Sequence, residues 1–375
     1  MASVQRGKDM EPRRLGRALE RYHRQPFEGK ENEMEMRPLG NSGLHVSALS
    51  FGTMSFGGEG FFQTVGNTEQ AEGERLIGLC LDHGINLFDT ADAYSLGRSE
   101  EILGRALGAR RQDVLIATQG FSRMGQGPNG MGSSRYHLMR AVEGSLRRLG
   151  TDYIDLYQMH AYDELTPIEE TLRALDDLVR AGKVRYIGCS NYAGWQLMKA
   201  LACADRHGWS RYISQQIYYS LAGRDAEHEL VPLGLDQGVG ILVYGGLAYG
   251  LLSGKFRRGA ADPQDARATM WNVCGTERER VLTIVEVMVD IATQRNVPVS
   301  QVAINWLLRK PGVTSVIFGA RNEAQLEDNL GAASWCLSPE EVSRLDAISE
   351  TPLRYPYSFY RDVVPERSPY FRKEQ

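Results

Sequence analysis

The chain has 375 residues, of which 42% are hydrophobic and 24% are charged, as in an ordinary globular protein. Its net charge of −4 gives no reason to expect a nucleic acid or an anionic membrane as a partner. It contains neither a long apolar run nor a secretory signal, so we expect no membrane span and no export. Five scattered cysteines without a CxxC pair predict reduced thiols, no metal site and a cytoplasmic protein.

The first 33 residues differ from the rest of the chain. They are polar and mix many arginines with many glutamates. We expect residues 1–33 to form a flexible extension, with an arm that binds a partner as the alternative. Residues 34–375 are predicted to form a single domain, because the apolar pattern of a folded protein begins there and continues to the C-terminus.

In this domain, short apolar runs alternate with amphipathic stretches. The runs are apolar on both faces, which is typical of buried parallel strands. They lie at residues 48–52, 86–89, 114–118, 153–160, 184–190, 213–218, 240–244 and 315–319. Helices are predicted at residues 69–83, 136–149, 167–181 and 195–207, each followed by a glycine that is typical of a helix end. Eight strands with intervening helices predict an α/β fold, a closed (β/α)8 TIM barrel. A doubly wound open sheet is the alternative, but no GxGxxG follows the first strand.

Polar side chains follow several of the predicted strands. In parallel barrels the reacting groups lie where the strands run into their following loops. Asp89 and Tyr94 follow the second strand, Gln119 ends the third, His160 ends the fourth and Gln216 lies in the sixth. Each of these residues alone has an ordinary structural explanation, as a turn, a hydrogen-bonded residue or a packed ring. Their convergence on one end of a barrel predicts a ligand site.

Seven motifs in order resemble the aldo-keto reductase family. The resemblance extends from about residue 36 to the C-terminus. It implies a (β/α)8 barrel that binds NADP(H), with an N-terminal β-hairpin at the barrel bottom and a C-terminal tail that shapes the pocket. The motifs are RPLGNSGLHVSALSFGTMSFGG, NLFDTADAYSLGRSEEILGRAL, DYIDLYQMH, GKVRYIGCSNY, QQIYYSL, LLSGK and VIFGARNEAQLEDNL.

The resemblance also implies the roles of individual residues. Asp89, Tyr94 and His160 match the family's catalytic residues. Arg321 matches a residue beside the adenosine ribose, where a contact to a 2′-phosphate would favour NADP(H) over NAD(H). The cofactor-binding residues implied in this way are Gly52, Thr53, Met54, Ser190, Asn191, Gln216, Tyr244, Gly245, Leu247, Gly250, Leu252, Lys255, Gly319, Arg321, Gln325, Asp328 and Asn329.

Two positions depart from the family pattern. Gln119 stands where the family has a catalytic lysine, and Gly245-Gly246 replaces a usual Ser-Pro pair. A nearby cation lowers the pKa of a phenol by about 1–3 units, so without it Tyr94 is expected to titrate nearer about 10. Tyr94 then keeps the proton that carbonyl reduction needs but rarely forms the phenolate that alcohol oxidation needs. Gln119 is expected to hydrogen-bond both Asp89 and Tyr94, and Asp89 to be partly protonated.

We therefore predict an enzyme that reduces an aldehyde or ketone with NADPH, taking a proton from Tyr94 or His160. Gln119 predicts a slow or specialised reductase. The alternatives are non-reductive proton chemistry on the same scaffold, such as dehydration or epimerisation, and a nucleotide-binding regulatory subunit. The predicted partner is a small-molecule carbonyl substrate, and the oligomeric state is left open.

Three segments are candidates for shaping the substrate pocket. The glycine-rich loop of residues 121–135 is predicted to be either a lid or a solvent loop. The segment of residues 260–276 contains Met270, Trp271 and Asn272, which would add apolar walls. The aromatic tail around residues 355–360 lies near the C-terminus and is expected to shape the pocket.

Overall fold

The structure is a computed structural model that describes residues 34–261 and 277–371. The predicted extension of residues 1–33 therefore lies outside the described residues. So do Met270, Trp271 and Asn272, which were expected to line the pocket.

Eight parallel strands close into a barrel, as predicted from the sequence. Each strand pairs with its neighbours along the chain, and the last barrel strand pairs with the first through Phe318 and Phe51. The predicted strands all form, with ends that differ by no more than two residues. The barrel strands are β3 (Leu49–Gly52), β4 (Leu87–Asp89), β5 (Leu115–Gly120), β6 (Ile154–Met159), β7 (Val184–Ser190), β8 (Tyr212–Tyr218), β9 (Gly240–Tyr244) and β10 (Val313–Phe318).

Helices surround the barrel, and each helix from α1 to α10 buries part of its surface in the protein. The four predicted helices correspond to α1, α3, α4 and α5. Ser134 caps the start of α3 by accepting a hydrogen bond from the backbone N–H of His137, and Gly150 ends it in the left-handed conformation. The helices are α1 (Gln70–Asp82), α2 (Arg98–Leu107), α3 (Arg135–Leu149), α4 (Ile168–Arg180), α5 (Gly194–His207), α6 (Leu230–Gln237), α7 (Arg278–Arg295), α8 (Val299–Leu308), α9 (Glu323–Leu330), α10 (Pro339–Ser349) and α11 (Tyr357–Val363). Among the described helices, none is both long and apolar enough to cross a membrane.

An antiparallel hairpin covers the end of the barrel where the strands begin. It consists of β1 (Met36–Pro38) and β2 (His45–Ser47). Its turn lies so close to the start of β9 that a Cβ on Gly40 would stand 2.4 Å from the carbonyl oxygen of Gly238. Leu39 and Val46 are fully buried and pack with side chains of the barrel interior. The hairpin expected from the sequence is therefore confirmed, and it leaves the opposite end of the barrel for the site.

Candidate active site

Asp89 ends β4 and is the hub of a buried hydrogen-bond network. Gln216 donates through Nε2 to its Oδ2 at 2.8 Å, and Gln158 donates to the same oxygen at 3.4 Å. Gln119 donates through Nε2 to both carboxylate oxygens at 3.4 Å. Three neutral amides thus surround one carboxylate. Among the described residues, no cationic side chain forms a hydrogen bond or ion pair with Asp89. Burial raises the pKa of Asp89 to about 7, although the bonds from Gln216 and Gln119 oppose this.

Gln119 lies in β5, fully buried beneath the floor of the site. Its Nε2 also donates to Oε1 of Gln216 at 3.3 Å, which joins the two amides. Its Oε1 has no hydrogen-bond partner among the described residues. The predicted bond to Asp89 is present, but no bond from Gln119 reaches Tyr94 in the described part of the chain. That part of the prediction was wrong: Nε2 of Gln119 donates to Asp89 and Gln216, and its Oε1 accepts no hydrogen bond from the phenol of Tyr94.

Tyr94 follows β4 in a short turn and faces the cavity described below. Its ring lies between Phe62, with centroids 5.3 Å apart, and His160, with centroids 5.9 Å apart. Burial raises the pKa of the phenol above its ordinary value, and the negative charge of Asp89 raises it further. Tyr94 is therefore protonated at neutral pH, which is the form that donates a proton.

His160 follows β6, and its backbone N–H donates to the carbonyl of Gly120. Burial lowers the pKa of its imidazole to about 4, so the ring is neutral at pH 7. Its Nδ1 is buried without a hydrogen-bond partner among the described residues. A neutral imidazole carries one N–H, which makes His160 able to donate a hydrogen bond to a carbonyl oxygen.

A single cavity of about 930 Å³ joins these residues to the ends of β9 and β10. Most of the residues expected from the sequence line it, while Thr53, Gln119, Ser190 and Leu252 lie buried behind its surface. The expected residues in the lining are Asp89, Tyr94, His160, Gly52, Met54, Asn191, Gln216, Tyr244, Gly245, Leu247, Gly250, Lys255, Gly319, Arg321, Gln325, Asp328 and Asn329.

Amide groups are held in place at the inner end of the cavity. Asn191 has a φ of 56°, and its Nδ2 donates to the carbonyl of His160 and to Oγ of Ser190, both at 3.0 Å. Its Oδ1 accepts from the hydroxyl of Tyr244 at 2.8 Å. These contacts orient Asn191 and the Tyr244 ring before any ligand binds.

The outer end of the cavity has a different chemistry. Lys255 and Arg321 both line it, and Lys255 is exposed. Asn322 caps α9 through its side chain, and Oε1 of Gln325 accepts from the backbone N–H of Arg321 at 3.2 Å. Two cations, several amides and a capped helix start suit the phosphates and ribose of a nucleotide.

The glycines that replace the usual Ser-Pro pair have little room for side chains. Gly245 has a φ of +70°, and a Cβ there would stand 2.6 Å from the ring of Tyr218. A Cβ on Gly246 would stand 2.7 Å from Leu307. The departure from the family pattern therefore matches the local packing, in which Tyr218 and Leu307 fill the space.

Two of the segments expected to shape the pocket, residues 121–135 and the aromatic tail, do not line the cavity in the part of the chain that the structure describes. In the loop of residues 121–135, Gly132 N–H donates to the carbonyl of Phe121 and Met124 N–H to that of Gly130, so the loop closes on itself. In the tail, Tyr357 stacks on His228 and donates a hydrogen bond to Glu229. Within residues 34–261 and 277–371, neither segment contributes to the cavity lining, so the pocket-shaping role expected of the tail is not met there.

Aromatic residues that the sequence reasoning missed line the cavity instead. Phe61 and Phe62 lie in the loop after β3, and Tyr249 lies in the turn after β9. The available signal was the pair Phe61-Phe62 directly after three closely spaced glycines, GGEGFF, following the first barrel strand. Glycines permit a sharp loop, and loops on a rigid scaffold often carry the residues that bind a ligand.

The fold and this site define the class of protein: a parallel eight-stranded barrel whose polar site lies where the strands end. The profile of the Aldo/keto reductase family matches residues 48–350, and the chain belongs to that family.

Three relatives illustrate the family's range. The uncharacterized oxidoreductase YrpG of Bacillus subtilis is 38% identical over 86% of this chain and 99% of its own length. A probable voltage-gated potassium channel subunit beta of Arabidopsis thaliana is 36% identical over 87% of this chain and 100% of its own. The versiconal hemiacetal acetate reductase of Aspergillus parasiticus is 35% identical over 84% of this chain and 96% of its own. Family membership and the oxidoreductase relatives support an oxidoreductase that acts on small carbonyl compounds.

Proposed function

We propose that this protein reduces an aldehyde or ketone to an alcohol with NADPH. The observation that carries the proposal is the position of Tyr94, a protonated phenol that packs against His160 and lines the same cavity as Lys255 and Arg321. One cavity thus has a proton donor at its inner end and cationic groups at its outer end.

The residues present fit a nicotinamide dinucleotide. Asn191 and Gln216 are the amides that would hold the carboxamide, and Tyr244 is the ring on which the nicotinamide would stack. Lys255 would face the pyrophosphate, and Arg321 the 2′-phosphate of NADPH. When bound, the reduced nicotinamide supplies the hydride for carbonyl reduction.

The proton comes from the chain's own residues. Tyr94 donates its phenolic proton to the carbonyl oxygen as negative charge develops there. His160, neutral at pH 7, donates a hydrogen bond to the same oxygen and orients it. Because the raised pKa of Tyr94 disfavours the phenolate, the site is better suited to reduction than to alcohol oxidation.

Gln119 makes this site electrostatically weaker than one with a lysine. Its amide holds Asp89 and Gln216 in place but supplies no positive charge to lower the pKa of Tyr94. A weaker acid transfers its proton less readily, so we propose a slow or specialised reductase.

A regulatory role is the second candidate. It is favoured by the loss of the lysine at position 119 together with the similarity to a probable potassium channel subunit beta. In this case the chain would bind the nucleotide tightly, and nucleotide binding would regulate a partner protein. Non-reductive proton chemistry has no observation of its own in its favour.

The first test is consumption of NADPH, followed at 340 nm, with a panel of aldehydes and ketones from pH 6 to 8. Binding of NADPH and NADH is measured in parallel by fluorescence. Turnover with any carbonyl supports the proposed reductase. Tight binding of NADPH without turnover of any carbonyl would overturn it in favour of the regulatory role, and failure to bind either nucleotide would overturn both.

A further inference from the structure

Four aromatic rings form one wall of the cavity. Phe61 and Phe62 pack edge-on with centroids 5.5 Å apart and an interplanar angle of 87°. Phe62 packs against Tyr94 at 5.3 Å and 68°, and Tyr94 against His160 at 5.9 Å and 79°. We call these four rings the aromatic row. It connects an exposed loop tip to the proposed proton donor.

The loop that carries Phe61 and Phe62 is fixed to the residue after Tyr94. Oγ of Ser95 donates to the carbonyl of Phe56 at 2.9 Å and accepts from the backbone N–H of Gly58 at 3.0 Å. Ser95 itself has a left-handed backbone conformation with a φ of 49°, an uncommon state for a residue with a side chain. The base of the loop and the position of Tyr94 are therefore coupled through one side chain.

The base of this loop is also closed on itself. The backbone N–H of Gly66 donates to the carbonyl of Phe62 at 2.7 Å. A Cβ on Gly58 would stand 2.3 Å from the carbonyl oxygen of Gly66, so the two sides of the loop approach as closely as their backbones allow. The ring of Phe62 is half-buried as a result, whereas Phe61 at the tip is 73% exposed.

More aromatic rings line the cavity near Tyr94. Tyr244 and Tyr249 both contribute to raising the pKa of Tyr94, which places their phenols in its electrostatic surroundings. The ring of Tyr249 is supported by Tyr218, to which it is nearly parallel at 10° and 6.0 Å. A substrate whose oxygen meets Tyr94 is thus surrounded by ring faces and edges.

We propose that Phe62 is a specificity-determining residue, supported by Phe61, that selects carbonyl compounds bearing a flat aromatic ring over those bearing a saturated ring of equal size. The inference rests on the proposed function, because Tyr94 as proton donor fixes where the carbonyl oxygen lies. A flat ring beside Phe62 extends the edge-on packing of the aromatic row, and a puckered ring does not. Such an aromatic contact contributes about 2- to 12-fold beyond the burial of area.

The test compares kcat/KM for benzaldehyde and cyclohexanecarbaldehyde in the unmodified chain and in Phe62→Leu. The two aldehydes differ in intrinsic reactivity, so the measured quantity is the change in their ratio between variants. We expect Phe62→Leu to lower the benzaldehyde preference by about 2- to 12-fold. Phe61→Leu is expected to lower it less, because the loop tip is more exposed.

Phe359→Leu is the matched control, since this phenylalanine is 48% exposed in α11 and does not line the cavity. It is expected to leave the ratio unchanged. An unchanged ratio in Phe62→Leu, or an equal change in Phe359→Leu, overturns the inference.

A second measurement separates this inference from the proposed function. Calorimetry with NADP⁺ present compares binding of benzamide and cyclohexanecarboxamide, which are not reduced. If no carbonyl of the panel is turned over, the proposed function fails, while the amides still test the aromatic row. Preferential binding of benzamide that is lost in Phe62→Leu supports the inference, and equal binding of the two amides by the unmodified chain overturns it.

Discussion

The two ends of the cavity differ in the sign and the surroundings of their charged side chains. At the inner end a buried carboxylate, Asp89, is surrounded by the neutral amides of Gln119, Gln158 and Gln216. At the outer end Lys255 and Arg321 line the same cavity near solvent. Burying a charge without an opposite charge is costly, whereas cations near the surface attract an anionic ligand at little cost. Among the described residues, the cations of the cavity therefore lie at the end proposed to bind the nucleotide, and the proposed site of chemistry has neutral partners only.

The largest expected effect comes from removing the proton donor at the inner end. Tyr94→Phe should lower kcat/KM for carbonyl reduction by about 10²- to 10⁴-fold, because general acid catalysis typically contributes that much. NADPH affinity should stay within about twofold, since the cationic groups are at the other end of the cavity. Steady-state kinetics and fluorescence titration measure the two quantities. Retention of most of the activity would assign the proton donor to another group, with His160 first.

The buried groups of the inner end should have opposite effects on stability as the pH changes. Burial raises the pKa of Asp89 from 3.8 to about 7, so its contribution to stability is full below pH 4 and is lost as the pH rises to 7. Asp89→Asn should therefore gain stability relative to the unmodified chain between pH 5 and 7, by up to about 3 kcal/mol.

The pH dependence of stability expected from His160 has the opposite sign to that of Asp89. Burial lowers its pKa from 6.5 to about 4, so its contribution to stability is full above pH 6.5 and is lost as the pH falls towards 4. His160→Gln should therefore gain relative stability as the pH falls. Urea unfolding of both variants and the unmodified chain from pH 5 to 8 measures the trends. If the stability of both variants changed with pH in the same direction, the pKa shifts given for Asp89 and His160 would be wrong.

At the outer end, Arg321→Met should weaken NADPH binding by about 10- to 100-fold and leave NADH binding nearly unchanged. Hydrogen bonds to a charged group contribute about 1.5–3 kcal/mol, and only NADPH carries the 2′-phosphate. Lys255→Met is the matched control, because it should weaken both nucleotides equally through the pyrophosphate that they share. Equal weakening of NADPH and NADH by Arg321→Met would place the 2′-phosphate elsewhere.

The smallest effect is expected from returning a cation to the inner end. Gln119→Lys should lower the pKa of Tyr94, and each unit of that shift raises the phenolate fraction about tenfold at a given pH. Alcohol oxidation with NADP⁺ at pH 8 should therefore rise by about tenfold, with a smaller change in carbonyl reduction. The ratio of the two rates is the measurement. A ratio that falls or stays constant would show that position 119 does not control the acidity of Tyr94.

The sequence was sufficient for the barrel and for most of the site. The short apolar runs and the glycines at helix ends predicted the elements, because buried parallel strands must be apolar on both faces. Motif matches placed Asp89, Tyr94 and His160 at strand ends, and the structure brings them to one cavity.

The residues at the ends of the strands could be read from the sequence alone, because the apolar runs fix where each strand ends. Which side chains contact one another at these strand ends depends on the folded structure. It directed the Gln119 amide to Asp89 and Gln216 instead of Tyr94, and it placed Phe61 and Phe62 over the cavity in place of the loop at 121–135. The physical reason is that an amide's partners and a loop's path depend on contacts between segments far apart in the chain, such as Ser95 with Phe56 and Gly58.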